Sequence, residues 1–274
     1  MSHRARLDVP APTLRTVTGW IAAARRGRDR RPWQRAATVH QHVLLVLRWL
    51  RHRADLADLA HDAHISIATA YRYLHEALDA IAAHAPDLHD VLHIAREKRL
   101  AYLCLDGTLV ATDRVTARTE RGNDAWYSGK HHRHGGNVQV LADPDGHPLW
   151  VSAVRPGARH DLACARELVL PALYPFCRLA PDRHSHLPVL ADKGYVGAGI
   201  GVRVPYRRPA GGQRLDRTAR TYNRCHAALR APAERAISLL GHWRALDHVT
   251  LDPGAITKIA SVAFVLTHLQ LPTR

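Results

Sequence analysis

Apolar residues recur at helical spacing through the first third of the chain. Residues 39–50 place them every three to four positions, which predicts a first helix. Residues 54–61 predict a second helix whose first turn Asp55 can cap, and residues 66–85 predict a third that begins at Ser66, another capping residue. The segment between the second and third helices is short, so this region is predicted to be a compact helical unit.

Two short helices, a tight turn and a longer capped helix are typical of a helix-turn-helix, in which the last helix enters the major groove of DNA. On this interpretation Ser66, Thr69, Arg72 and Tyr73 contact DNA, the last three from the exposed side of the helix. The turn position that commonly holds glycine is His64, a residue that tolerates a positive φ better than a branched one. A three-helix packing module without DNA contact remains the alternative.

The period changes near Leu100, where apolar and polar residues begin to alternate as they do in strands. Residues 100–115, 136–142 and 148–154 are predicted strands, and Asp143 to Gly146 between the last two form a hairpin turn. Further elements are predicted as a helix at 161–173, strands at 189–192 and 201–204, a broken helix at 216–240 and an apolar helix at 255–269. This order predicts an α/β fold, with a mixed sheet flanked by helices.

The patterns divide the chain into three parts. Residues 1–35 are predicted to be a basic N-terminal arm, residues 36–95 the helix-turn-helix domain and residues 96–274 the α/β domain. An arginine-rich cluster at 24–35 is interrupted by Pro32, which would break a helix. This cluster is either a solvated linker or an arm that binds phosphates.

The charge balance points to a polyanionic partner. The chain has 39 Lys plus Arg against 24 Asp plus Glu, a net charge of +15, and arginine suits bidentate contacts to phosphate. Ribosome-binding and membrane-surface proteins can share such a composition. No run of 18 apolar residues and no apolar signal-peptide core is present, which predicts a cytoplasmic protein without a membrane partner. Four scattered cysteines without CxxC spacing predict neither a disulfide nor a zinc site.

Three acidic residues stand out in this basic chain. Asp106 and Asp192 each end a short apolar run, and Glu234 lies near the start of a helical pattern. A charged group at the end of a buried strand is costly to desolvate unless it is paired or binds a metal ion. The three carboxylates are therefore candidates for a divalent metal site. Pro232 leaves the position of Glu234 open, because it either interrupts the helix or begins a new one.

Six motifs follow one another in a recognisable order: LDGT at 105–108, YSGKHHRH at 127–134, RPGARHD at 155–161, ADKGY at 191–195, PYRRP at 205–209 and AERAI at 233–237. Together they resemble the IS5-like group of DDE transposases, whose catalytic domain has a ribonuclease-H-like fold and follows a helix-turn-helix. The resemblance covers about residues 100–246.

The resemblance implies that Asp106, Asp192 and Glu234 are the catalytic residues and bind two Mg²⁺ or Mn²⁺ ions. It further implies cleavage and strand transfer on double-stranded DNA, with transposon terminal inverted repeats and target DNA as substrates. A homodimer or higher synaptic assembly, associated with the nucleoid, is also implied. One departure concerns Gly241, which replaces a basic residue that is common in the family.

Several other residues are candidates for supporting roles. His160 and Asp161 match a further motif, and Asp161 either supports the metal site, as Lys193 could, or caps a helix. Trp243 either stacks on a splayed base or fills the core. The remaining candidates for DNA contact are basic: Lys130, His131, Arg133, His134, Arg207, Arg208, Arg235 and Arg244.

Three other interpretations remain open. The histidines at 131–134 could bind zinc, although adjacent imidazoles point apart and cysteine partners are lacking. The chain could be a catalytically silent helix-turn-helix protein or regulator derived from a transposase. It could also be a nuclease of the same fold that cuts DNA without regard to sequence.

Overall fold

The structure is a computed structural model that describes residues 7–28, 35–177, 186–209, 211 and 213–272. The chain divides into two compact units. A helical unit comprises Met1–Ala85, Leu240–His248 and Lys258–Arg274, and a sheet unit comprises Pro86–Leu239 and Val249–Thr257.

The helical unit packs amphipathic helices around an apolar core. Val17, Leu47, Leu74 and Ile81 are fully buried there. Burial of such side chains contributes about 1.5–3 kcal/mol each, so this unit has a substantial core of its own. Its helices are α1 Ala11–Arg26, α2 Val39–His52, α3 Leu56–Asp62, α4 Ile67–Ala82 and most of α10 Ala255–His268, which begins in the sheet unit.

Local sequence signals account for most of these helices. Asp55 and Ser66 cap α3 and α4 as predicted, since each side chain accepts hydrogen bonds from first-turn backbone N–H groups. His64 in the intervening turn has φ 53°, the predicted positive value. The predicted N-terminal arm, in contrast, contains α1, because Val17 and Ile21 are buried on one face between polar residues. Residues 29–34 of the arginine-rich cluster lie outside the described residues.

The sheet unit is built on a mixed sheet that includes seven strands of the described chain, in the order β2-β3-β1-β6-β7, with β4 and β5 also paired to β3. Strand β1 pairs antiparallel with β3 and parallel with β6, and β6 pairs parallel with β7. The strands are β1 Leu103–Ala111, β2 Tyr127–Ser128, β3 Arg133–Ala142, β4 Pro148–Val151, β5 Arg155–Pro156, β6 Val189–Ala191 and β7 Val202–Arg203.

Helices flank the sheet, as the α/β pattern predicts. One face of β1 buries Leu103 and Leu105 in a core with three of these helices, and the other face turns Cys104 towards Leu229 of a fourth helix. This arrangement confirms the predicted mixed sheet flanked by helices, after a helical N-terminal region, and is consistent with a ribonuclease-H-like fold. The helices are α5 Leu88–Glu97, α6 Asp161–Leu168, α7 Leu170–Cys177, α8 Arg217–Arg230 and α9 Pro232–Gly241.

Several boundaries follow from individual residues. Gly146 has φ 79° and closes the hairpin turn between β3 and β4, as predicted. The helix predicted at 161–173 is divided, because Val169 leaves helical geometry between α6 and α7. Pro232 begins α9, which is the second of the two possibilities open at the sequence level. No helix in the described parts of the chain is long and apolar enough to cross a membrane.

Candidate active site beside strands β1 and β6

Asp106 and Asp192 occupy equivalent positions on two neighbouring strands. Leu105 of β1 pairs in parallel register with Ala191, the last residue of β6, and each of the two is followed by an aspartate, Asp106 within β1 and Asp192 directly after β6. Neighbouring strands lie about 4.8 Å apart, and side chains at the same register position of a parallel pair point to the same face. The sheet therefore brings these two carboxylates side by side.

The charge of Asp106 is offset by a neighbouring cation. Its Oδ2 accepts a hydrogen bond from Nη1 of Arg230 at 2.9 Å, and its Oδ1 accepts one from the backbone N–H of Gly107 at 2.9 Å. Burial raises the pKa of Asp106 above its ordinary value, and the charge of Asp192 adds to this rise although Arg230 opposes it. A further positive charge at this position would therefore be stabilising.

Glu234 reaches the same region from α9. It lies in the first turn of this helix, just after Arg230 ends α8. Asp192, Arg230 and Glu234 line one cleft of about 310 Å³, together with Lys193, Pro205 and His226. Asp192 and Glu234 therefore line the same cleft. Arg230 lines it as well and is hydrogen-bonded to Asp106.

Asp161 lies on the opposite face of β1. Its Oδ1 accepts a hydrogen bond from Nδ2 of Asn137 at 2.6 Å, and its Oδ2 accepts one from Nζ of Lys130 at 3.0 Å. Burial opposes the charge of Lys130, but the hydrogen bond and charge of Asp161 outweigh it and raise the pKa of Lys130. Asp161 is the first residue of α6, yet its carboxylate binds these two partners, which favours a supporting role over simple capping.

A chain of buried polar groups continues from Asn137. Gln139 donates from Nε2 to Oδ1 of Asn137 at 2.7 Å, and the hydroxyl of Tyr195 donates to Oε1 of Gln139 at 2.7 Å. Gly107 makes room for this arrangement, because a Cβ there would overlap Oδ1 of Asp161 and lie 2.9 Å from Nε2 of Gln139. The network therefore ties the middle of β1 and of β3, and the turn that follows β6, to the start of α6.

Sequence reasoning did not find Arg230, Asn137, Gln139 or Tyr195. A signal was present for two of them: Asn137 and Gln139 alternate on one face of an otherwise apolar predicted strand, and buried polar groups need partners. Arg230 gave no such signal, because its pairing with Asp106 depends on how α8 packs against the sheet.

The other predicted contact residues of the sheet unit are mostly at the surface. His134 is half-buried with its ring edge-on to Tyr127. Arg207 donates to the backbone oxygen of Lys193, and Arg235 to that of Asp145. The exposed candidates of this unit are Lys130, His131, Arg133, His160, Lys193, Arg207, Arg208 and Arg235.

Two candidates in the helical unit are not where the sequence placed them. Thr69 and Tyr73 were expected on the exposed side of α4, but they are 7% and 4% exposed, and Tyr73 stacks on His42. That expectation is wrong because the helix turns its 69–73–76 stripe inward. Arg72 is exposed, and the hydroxyl of Ser66 is used to cap α4.

Trp243 and Arg244 lie next to each other but face different surroundings. Trp243 is 1% exposed, and its Nε1 donates to Oγ1 of Thr267 at 3.1 Å. Trp243 therefore fills the core, and the expectation that it stacks on a base is wrong. Arg244 is exposed and pairs with Asp247.

A separate group of possible metal ligands lies in the β3–β4 turn. In the part of the chain that the structure describes, Asp143, Asp145 and His147 can each offer an atom within 4.8 Å of the others. The Oδ1 of Asp143 accepts hydrogen bonds from the backbone N–H groups of Asp145 and His147, and its Oδ2 lies 3.1 Å from Nδ1 of His147. These contacts explain the group as a stabilised turn, and none of the three predicted catalytic acids belongs to it.

Comparison with known proteins identifies the family of the sheet-forming part of the chain. Residues 105–268 match the sequence model of the family described as DDE superfamily endonuclease, which is more than half of the chain. The chain therefore belongs to this family. Neither the curated proteins nor the solved structures contain a match to it.

Endonucleases of this family are normally metal-dependent, and the chemistry of Asp106, Asp192 and Glu234 fits a divalent cation. Carboxylate oxygens are the ligands that Mg²⁺ prefers. Asp106 is half-buried beside a second carboxylate and is stabilised by positive charge, which Arg230 alone supplies through a direct contact among the described residues. Asp192 and Glu234 would complete an all-oxygen donor set from the same cleft.

Proposed function

We propose that this chain is a DNA transposase that cleaves the ends of a transposon and joins them to target DNA, with Asp106, Asp192 and Glu234 as its catalytic residues. The observation that supports this most strongly is the parallel register of β1 and β6, which puts Asp106 and Asp192 side by side. Membership of the DDE superfamily endonuclease family supports a reaction at a phosphodiester bond.

The proposed reaction has two steps. In cleavage, a water oxygen forms a bond to phosphorus, the bond from phosphorus to the 3′ oxygen breaks, and the 3′ oxygen takes a proton to become a hydroxyl. In transfer, that hydroxyl attacks a phosphate of the target and displaces another 3′ oxygen. A pair of divalent cations, Mg²⁺ or Mn²⁺, would activate the attacking oxygen and stabilise the leaving one when bound.

The chain's own residues would orient the substrate. Asp106 lies within β1, Asp192 directly follows β6, and Glu234 lies in the first turn of a helix, so regular secondary structure positions all three. Lys130, held by Asp161, and Arg230 add positive charge that attracts a phosphate. Arg230 can exchange its carboxylate partner for a phosphate oxygen without losing charge.

The helical unit would provide recognition of the transposon ends. The cap at Ser66, the turn at His64 and the exposed Arg72 support the helix-turn-helix hypothesis. The assembly that brings two ends together would be a homodimer or a higher oligomer, because two DNA ends must be cut and joined together.

A cleavage assay with the purified full-length protein tests the proposal. DNA that carries the inverted repeats flanking the reading frame should be nicked only with Mg²⁺ or Mn²⁺, and Asp106→Asn or Asp192→Asn should abolish nicking while DNA binding persists. Asp247→Asn, at an exposed position, serves as the control. Undiminished nicking by both active-site variants would refute the assignment, and equal cutting of DNA without repeats would identify a sequence-independent nuclease.

A catalytically silent DNA-binding regulator is the second candidate, and the pairing of Arg230 with Asp106 favours it. An arginine that permanently neutralises the first aspartate would leave no role for a metal ion. The two candidates differ in their response to cations, because a ligand that binds only the folded state raises its stability by mass action. Mg²⁺ or Mn²⁺ should raise the Tm of an active enzyme and leave that of a silent regulator unchanged.

A further inference from the structure

The outward face of α8 carries a basic surface that no role described so far uses. Arg217, Arg220 and Arg224 recur at helical spacing, and all three are exposed. The opposite face of the helix buries Ala219 and His226. We call Arg217, Arg220 and Arg224 the α8 arginine stripe.

The charges of the α8 arginine stripe are not balanced by carboxylates. Helix α8 contains no acidic residue, and none of the three arginine side chains makes a hydrogen bond or ion pair with another described residue. Two arginines elsewhere in the sheet unit, Arg155 and Arg159, are in contrast both paired with Glu167. The stripe is therefore an unneutralised concentration of positive charge.

Helix stability does not explain this placement. The N-terminus of a helix carries partial positive charge, so basic residues in the first turn are unfavourable by about 0.3–1 kcal/mol each. Arg217 and Arg220 lie at this end of α8, where Asp216 provides the cap. The sequence thus keeps cations where they weaken the helix, which is expected if they bind an external anion.

The loop beside α8 adds to the same surface. The side-chain amide of Asn223 binds the backbone of Tyr206 on both sides, accepting from its N–H at 2.8 Å and donating to its oxygen at 3.0 Å. Tyr206 remains 56% exposed, and Arg207 follows it with a hydrogen bond to the backbone oxygen of Lys193. Lys193 lines the cleft of Asp192 and Glu234, so this loop connects the flank of α8 with the candidate active site.

We propose that the α8 arginine stripe binds the phosphate backbone of double-stranded DNA without reading its sequence. Arg217 and Arg224 are seven residues apart, or about 10 Å along the helix. A DNA strand has one phosphate about every 3.4 Å of its axis, so three arginines match about three phosphates. Contacts to phosphates do not depend on the base sequence, so they suit a segment of DNA whose sequence can vary.

This inference rests on the proposed function, in which DNA is the substrate. Its test measures DNA binding alone and does not need catalysis. The full-length protein with Asp106→Asn and Asp192→Asn is titrated, in EDTA, against a labelled duplex of arbitrary sequence between 50 and 200 mM salt. Replacement of Arg217, Arg220 and Arg224 by Gln should weaken binding and lower the slope of log affinity against log salt by about 2–3. Replacement of all three by Lys should preserve the slope.

A matched control separates the stripe from net charge. Arg15→Gln, Arg114→Gln and Arg121→Gln remove the same charge at exposed positions outside the stripe, and should leave the slope within about 0.5 of its original value. An unchanged slope in the stripe variant, or equal losses in both triple variants, would overturn the proposal.

Thiol labelling of Cys225 is an independent measurement of DNA binding at the same surface. This cysteine is exposed and directly follows Arg224, whereas Cys104, Cys164 and Cys177 are buried. A thiol reagent should therefore label Cys225 first, and the arbitrary duplex should slow this labelling several-fold in the parent protein but not in the Gln triple variant. Absence of protection at saturating DNA would contradict the proposal, while absent metal-dependent cleavage would contradict only the proposed function.

Discussion

Arg230 donates a hydrogen bond from Nη1 to Oδ2 of Asp106 across 2.9 Å, so a cation of the chain itself is bound to the first predicted catalytic aspartate. The two side chains are 19% and 18% exposed, which makes the attraction stronger than at an open surface. Their separation in sequence is 124 residues. The hydrogen bond therefore depends on the packing of α8 against β1, and it partly neutralises the charge of Asp106 in the candidate site.

The first prediction concerns this pair. Arg230→Gln leaves the half-buried Asp106 without its cation, so the variant should lose about 1–3 kcal/mol of unfolding free energy without divalent ions. Because the site then has greater need of positive charge, Mn²⁺ should raise the Tm of the variant more than that of the parent protein. Thermal melts with and without Mn²⁺ measure both effects. Arg208→Gln, at an exposed position, should match the parent in both, and an equal Mn²⁺ shift in Arg230→Gln would contradict the prediction.

The second prediction concerns the close packing at Gly107. Gly107→Ala introduces a Cβ that overlaps the carboxylate of Asp161 and crowds Gln139, so unfolding free energy should fall by about 1–3 kcal/mol. Gly129→Ala is the matched control, because no atom lies within 4 Å of its added Cβ. Chemical denaturation of both variants measures the difference, and equal stabilities would show that Asp161 can move at no cost.

The third prediction concerns a buried ion pair in the helical unit. Glu76 is 5% exposed and accepts from both Nη atoms of Arg35, at 2.8 and 3.1 Å. Glu76→Gln removes the charge and leaves Arg35 partly unpaired, which should cost about 3 kcal/mol. Asp62→Asn, which breaks the more exposed pair with Arg48, should cost less than about 1 kcal/mol. Urea denaturation at pH 7 distinguishes the two values, and similar losses would be the contrary result.

The fourth prediction concerns acid stability. His42 is buried beside Arg25, Tyr73 and Glu76, and burial lowers its pKa from 6.5 to about 4. Its Nε2 donates to the backbone oxygen of Tyr73 at 2.6 Å, so Nδ1 is the acceptor for Arg25 and must stay unprotonated. The unfolded chain takes up this proton first as the pH falls, so the neutral form contributes stability that is complete above pH 6.5 and is lost towards pH 4.

The size of the loss at His42 is about 3 kcal/mol, since each unit of pKa difference corresponds to about 1.4 kcal/mol. Unfolding free energies at pH 7 and pH 4.5, in the parent protein and in His42→Gln, measure it. The variant should depend less on pH over this interval because glutamine does not titrate. The same pH dependence in both proteins would show that His42 is not the group responsible.

Periodicity and turn chemistry predicted much of the fold. Helices α2 to α4, strands β1 and β3 and the turn at Gly146 each follow from signals within a few neighbouring residues. Helix α1 was missed because its buried stripe at Val17 and Ile21 is narrow and lies among polar residues that suit a solvated arm. The orientation of α4 was also wrong, because packing against α2 selects which of its two partly apolar stripes is buried.

The residues of the candidate site likewise divide into those that the sequence predicts and those that it does not. Asp106, Asp192 and Glu234 could be proposed from their local settings and from the order of motifs. Arg230 and Asn137 could not, since their roles depend on partners 124 and 24 residues away in sequence. A short sequence pattern carries information about an element's own face, whereas the partner of a charged side chain is set by the packing of distant elements.

The central position of β1 has a consequence for protein synthesis. Its neighbours in the sheet come from residues 133–142 on one side and 189–191 on the other, and Glu234 comes later still. A ribosome must therefore translate most of the chain before the acids can meet. A truncated product that ends before β6 contains Asp106 but neither Asp192 nor Glu234, so interrupted translation yields fragments that lack two of the three proposed catalytic acids.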